Sequence, residues 1–114
     1  MTQQQSALCR FASAPPVEDR GNDLKRQMLG YNNKLTAVKI GFAPGAEGYV
    51  HAHRHSQASL VVDEFQVMVN GETKTVGPGD SLFVRPHEDH GAVCPTGGIL
   101  IDTFSPARED FLKE

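Results

Sequence analysis

His51-Ala52-His53-Arg54-His55-Ser56-Gln57 holds three of the chain's five histidines at spacings of two, with a glutamine at the same parity. Alternate residues of a strand share a face, so His51 and His53 can point two imidazoles into one concavity. After a bend, Gln57 can add an amide oxygen from the same side. Further on, Pro78-Gly79-Asp80 marks a turn, and a short apolar run leads to His87 and His90. A shell of His51, His53, Gln57 and His90 suits one divalent ion, since imidazole is a common metal ligand. The alternative is a chance cluster of surface or core histidines. His55 is the rival ligand by parity, but the strand should be turning there, which places it beside the site or facing outward. His87 falls in a rim turn and reads as solvated, and Arg54 lies on the face opposite the histidines.

Strand patterns extend outward from this stretch. Thr36, Val38, Ile40 and Phe42 fall on one face, and Phe65, Val67 and Val69 alternate likewise. Asn70-Gly71 signals a two-residue hairpin that returns through Glu72 to Val76. Ala58 to Val62, Ser81 to Val84, His90 to Cys94 and Ile99 to Phe104 read as further short strands. Lys25 to Leu29 is another, with Gly30-Tyr31-Asn32-Asn33 as the turn after it. About eight short strands with frequent turns predict an all-β fold, a small antiparallel barrel or jelly roll. A short helical tail is expected to begin near Pro106, which is well placed as a first helical residue. Residues 1–20, with a glutamine run and Pro15-Pro16, read as an extended arm, and residues 21–114 as the barrel domain.

At 114 residues the chain is expected to form a single barrel domain behind the arm. A net charge of -3 without a basic cluster argues against a nucleic-acid surface, while leaving room for an anionic small molecule in a locally positive pocket. No apolar run approaches the length of a membrane span. The N-terminal residues lack a basic segment followed by an apolar one, so no signal peptide and a cytoplasmic location are expected. Cys9 and Cys94 are far apart and form no CxxC arrangement, which fits reduced thiols and leaves a disulfide open.

Gly45, His51, His53 and Gln57 fit the pattern Gly-x5-His-x-His-x3-(Glu or Gln). Pro78-Gly79-Asp80 and His90, ten residues after the aspartate, fit a second motif. In this order and spacing they resemble the cupins, double-stranded β-helix (jelly-roll) barrels that hold a metal in the barrel mouth. A narrower resemblance rests on Lys25 to Leu29, Leu82-Phe83, His90-Gly91 and Leu100 to Phe111. These segments look like the KdgF-type cupins of pectin degradation. In that family a metal held by three His and one Gln helps open 4,5-unsaturated uronate monosaccharides to the linear keto form. The resemblance implies His51, His53, Gln57 and His90 as metal ligands. It also implies Asp102, Phe104 and Arg108 as the residues facing substrate. A homodimer with exchanged N-terminal arms is implied too, Leu8 to Phe11 forming part of the arm. Two departures stand out. Val61-Val62-Asp63-Glu64-Phe65 is one residue shorter than the family's hairpin and lacks its glycine, a change expected to be absorbed in the turn. Arg85-Pro86-His87-Glu88-Asp89 puts extra charge and a histidine at the rim.

The residue types fit that chemistry in stated ways. Three imidazoles and an amide are neutral, so a divalent ion among them keeps its full formal charge and is a stronger Lewis acid than beside a glutamate. The set does not choose among Zn, Ni, Fe, Mn and Cu. Leu100, Asp102 and Phe104 share one face; if it is the inner one, the Asp102 carboxyl is paired or has its pKa raised by desolvation, and can move protons. If the face is outward, Asp102 pairs with a neighbour. Phe104 is either core or a stacking platform. Arg108 can grip a substrate carboxylate with its planar fork, or pair with Glu109, Asp110 or the rim acids. The leading function is metal-dependent ring opening of an unsaturated sugar acid, an isomerase-type reaction. Rivals are a metal-dependent dioxygenase and a non-catalytic module that binds a metal or sugar acid.

Overall fold

Alternating apolar residues with turn residues between them make nearly every element of this chain a strand. The computed structural model describes residues 17–111. Its strands in chain order are β1 (Glu18–Asp19), β2 (Leu24–Tyr31), β3 (Thr36–Phe42), β4 (Ala46–His51), β5 (Ser56–Val61), β6 (Phe65–Val69), β7 (Glu72–Val76), β8 (Ser81–Val84), β9 (His90–Cys94) and β10 (Gly98–Ser105). They form a six-stranded sheet in the order β1-β2-β3-β10-β5-β8 and a four-stranded sheet in the order β4-β9-β6-β7. Every pairing described is antiparallel. This is the expected all-β jelly roll, with ten described strands where about eight were read from the sequence.

Directly opposed residues of an antiparallel pair share a face, so the register of the larger sheet sorts its inner surface into rows. One row runs Thr36, Phe104, Gln57, Val84; the next Val38, Asp102, Ser59, Leu82; the third Arg26, Ile40, Leu100, Val61. Polar side chains thus enter all three rows, Arg26 at the β2 end of the third, and the rest of that row leads into the apolar core. That core holds Phe42, Val61, Phe65, Val67, Cys94 and Leu100. The Phe42 and Phe65 rings meet edge to face, with centroids 4.9 Å apart, a contact worth about 0.5–1.5 kcal/mol beyond area burial.

Four local expectations need correction or placing. Gly30 and Tyr31 belong to β2 rather than to the turn; the turn begins at Asn32, whose side-chain oxygen accepts the Lys34 and Leu35 N–H groups at 2.8 and 2.9 Å. The short helical turn expected near Pro106 is present, but it begins three residues later, at Glu109. The Arg108 N–H donates to Thr36 Oγ1 at 2.9 Å, which holds this segment against β3, and a single 3₁₀ turn follows at Glu109–Phe111. In the shortened connection Asp63 accepts the Ile99 N–H at 2.7 Å, and Phe65 beyond it is fully buried, so the missing residue is absorbed before β6. Glu18 and Asp19, at the end of the expected arm, pair with β2; the rest of the arm to residue 16, including Leu8 to Phe11 and Cys9, lies outside the described residues.

Candidate metal centre

The register of β4 against β9 decides where the imidazoles go. Ala46 faces Cys94 and Gly48 faces Ala92, and regular pairing would next oppose residue 50 to His90. Instead the register shifts, and His51 faces His90. The extra residue is a bulge. It leaves Val50 56% exposed on the outside and brings His51 to the side of His90. Gly91 makes room for it: a Cβ there would lie 2.9 Å from the Gly48 carbonyl oxygen and 3.2 Å from the Val50 nitrogen. His53 lies beyond the end of β4, so strand alternation does not place it. Its carbonyl accepts the His87 N–H at 2.7 Å, tying this loop to the rim turn.

The three rings converge, with centroids 4.5 Å apart for His51 and His90, 4.8 Å for His53 and His90, and 5.6 Å for His51 and His53. One nitrogen from each lies within 4.8 Å of the other two. Hydrogen bonding fixes two tautomers. His53 Nδ1 is 3.0 Å from the His55 carbonyl oxygen and His90 Nδ1 is 2.9 Å from that of Glu88. A carbonyl only accepts, so each Nδ1 carries the proton and each neutral ring presents its Nε2 lone pair inward. Burial pulls the His53 and His90 pKa values below the usual imidazole value, which favours these neutral forms.

Gln57 completes the arrangement from the inner face of β5. Its Nε2 donates to Ser59 Oγ at 2.9 Å and lies 3.4 Å from Asp102 Oδ1, while Ser59 Oγ donates to Asp102 Oδ1 at 2.6 Å. With its amide nitrogen so engaged, Gln57 turns Oε1 toward His53 Nε2 at 3.0 Å and His90 Nε2 at 3.1 Å. Three acceptor atoms therefore converge with no proton among them. A cation relieves that repulsion, so the donor set fits a divalent metal held by His51, His53, His90 and Gln57. His55, the rival ligand, is 6% exposed and outside the converging group, its ring 5.4 Å from that of His53. His87 is exposed in the rim turn, and Arg54 faces outward near Glu109.

Asp102 lies on the inner face, 8% exposed, and burial raises its pKa to about 6 against the opposing pull of the Ser59 hydroxyl. Ser59, unnoticed in the sequence, follows Gln57 by two on β5 and faces Asp102 across the pair; alternation alone would have found it. Phe104 is also buried, its ring 5.5 Å from that of His53. Arg108 stands over Phe104 and Phe111, at 4.9 and 4.1 Å from the ring centroids. Its Nε and Nη2 donate to Asp110 at 3.0 and 2.8 Å, so the pairing left open in the sequence goes to Asp110.

These groups border a cavity of about 300 Å³ whose wall includes His51, His90, Gln57, Asp102, Phe104 and Arg108. The sequence profile of the cupin domain matches residues 38–101, which spans both histidine motifs and the strands between them. The chain belongs to the cupin family. This cupin is 39% identical over 100 residues to the pectin degradation protein KdgF of Dickeya dadantii, covering 85% of the chain and 91% of that relative. Among solved structures it is similar to an RmlC-like cupin from Shewanella frigidimarina, with 66% identity and a TM-score of 0.89 over 96% of this chain and 99% of the other. The structure of KdgF from Halomonas sp. matches with 31% identity and a TM-score of 0.88, over 94% of this cupin and 99% of that protein.

Proposed function

We propose that this cupin opens the ring of a 4,5-unsaturated uronate to its linear keto form. The observation that carries the reading is a buried carboxylate with a raised pKa, hydrogen-bonded to the amide that completes a three-histidine site, at a cavity of monosaccharide scale. Similarity to two proteins called KdgF supports the substrate class. A divalent ion held by His51, His53, His90 and Gln57 supplies Lewis acidity toward substrate oxygens.

The chain's own residues account for the proton. In the ring form the C4–C5 double bond and ring oxygen make an enol ether. Asp102 takes the proton of the C1 hydroxyl, C1 becomes an aldehyde, and the C1 bond to the ring oxygen breaks. The electron pair stays on that oxygen as an enolate at C5. Asp102 then returns the proton to C4 and leaves a ketone at C5. One proton moves from oxygen to carbon, the reaction is an isomerisation, and one carboxyl group with a pKa of about 6 suffices. Ser59 and the Gln57 amide hold its Oδ1 and fix the carboxyl group's direction. The buried Phe104 ring packs edge to face against His53.

Incubation with an unsaturated uronate should yield the linear keto acid by NMR without oxygen uptake; oxygen consumption would instead indicate the dioxygenase. The same reading includes a homodimer. Leu60, Val62 and Phe83 are 47, 39 and 62% exposed on and beside the outer face of β5 and β8, an apolar patch suited to two-fold pairing with a second copy. Light scattering should give two chain masses at micromolar concentration and one for Phe83→Glu. A single chain mass for the wild type excludes the dimer.

A further inference from the structure

The cavity wall carries more positive charge than the metal centre and Arg108 account for. Arg26 and Arg20 also line it. Arg26 enters from β2 in the third inner row, opposite Ile40, where an apolar residue would be the default. Its side chain is only 6% exposed, its guanidinium carbon stands 3.9 Å from the Phe111 ring centroid, and its Nε is a buried donor without an acceptor among the described residues. A buried N–H left unpaired is costly, so such a group is retained where something else satisfies it. Among the described residues the acid within 4 Å of it is Glu18, whose Oε2 lies 3.6 Å from Arg26 Nη2 and 3.8 Å from Arg20 Nη1, while Asp110 acts on it more weakly. Both separations exceed hydrogen-bond length. Among the described residues one half-exposed carboxylate is thus shared by two guanidiniums, which leaves this part of the cavity wall with a surplus of positive charge. Arg108 stands over the same Phe111 ring, at 4.1 Å from its centroid, and the edge of its fork is already taken by Asp110 in a bidentate bond.

We infer that Arg26, with Arg20 at its side, is the carboxylate-binding site of the cavity. The inference rests on the sugar-acid reading above and refines it: the acid group docks toward β2, and the hydroxyl-bearing end of the ring turns to the histidines and Asp102. A planar fork stacked on Phe111 is pre-set for two parallel hydrogen bonds to a carboxylate. Arg108 keeps its bond to Asp110 and positions the aromatic pair Phe104 and Phe111, whose rings meet edge to face at 5.6 Å.

The test uses full-length, metal-loaded protein and two stable probes, galacturonate and galactose, titrated by NMR. Wild-type protein should bind the acid roughly tenfold more tightly or better, the worth of a hydrogen bond to a charged group. Arg26→Met, which keeps an extended side chain against Phe111, should lose most of that preference. On an unsaturated uronate it should raise KM about tenfold with kcat within about twofold, as expected for an anchor used equally in ground and transition states. Glu18→Gln, at an exposed position, should tighten galacturonate and leave galactose unchanged. If no unsaturated uronate is turned over but the acid preference is present and is lost in Arg26→Met, the reaction fails and the anion site stands. A wild-type protein that does not distinguish the probes overturns the assignment. So does a folded Arg26→Met protein that still distinguishes them, or a Glu18→Gln protein with unchanged galacturonate affinity.

Discussion

Asp102→Asn is expected to lower turnover at least a hundredfold while metal content and fold are kept. A general acid–base group contributes about 10² to 10⁴ in rate, and an amide can neither take the C1 hydroxyl proton nor deliver one to C4. The fold should tolerate the change because Asn keeps the oxygen to which Ser59 donates. The sign of the pH linkage agrees. The folded carboxyl has a pKa of about 6, above its unfolded value near 4, so its contribution to stability is fully present below pH ~4 and lost as pH rises through 6. At neutral pH the metal-free Asn variant should therefore melt no lower than the wild type. Wild-type activity should show an acid limb as Asp102 ionises, displaced below pH 6 by a bound cation, and that limb should be absent from the variant wherever both proteins keep their metal. Retention of the wild-type rate by Asp102→Asn would remove the carboxyl group from the reaction.

His90→Ala and His51→Ala are each expected to abolish metal binding and the sensitivity of the melting temperature to chelators. An ion that binds only the folded state stabilises it by about 2.7 kcal/mol at a hundred times its dissociation constant. For a domain of this size that corresponds to roughly 10–20 °C in melting temperature. Chelation of the wild type should cost such an amount, and chelation of either variant nothing. The His53, His55 and His90 pKa values are depressed by burial, so below pH ~6.5 the unfolded chain takes up protons that the folded rings resist. Stability should accordingly be lost as pH falls through and below that value, and bound metal lost with it. Elemental analysis of untagged protein across this range checks both. A metal-free protein with a chelator-insensitive melting temperature would contradict the donor set.

Much of the site was legible because ligand spacing and strand alternation are local signals. Gln57, Asp102 and Phe104 reach the interior through plain alternation, and His90 through its place at the start of an apolar strand. The route of His51 was not legible. Alternation paired it with His53 on one strand, whereas a bulge sets the exposed His51 opposite His90 and a loop delivers His53. Only Gly91, on the neighbouring strand, hints at that bulge. Arg26 was hidden for a different reason: Lys25 to Leu29 reads as a short strand, and nothing in that stretch places a charged side chain inside the barrel. Its burial depends on Phe111, from the far end of the chain. Contacts of that range leave no periodic trace.

Ring opening by this site is tested most directly by the decay of ultraviolet absorbance of unsaturated uronate epimers. The rate with metal-loaded protein is compared with the spontaneous rate and with the rate after chelation. A rate well above the spontaneous one for at least one epimer, returned to the spontaneous value by chelation and restored by added divalent metal, is the predicted result. A metal-loaded protein that leaves every epimer at its spontaneous rate would contradict the proposed function, leaving the cupin fold and its histidine cluster in search of another substrate.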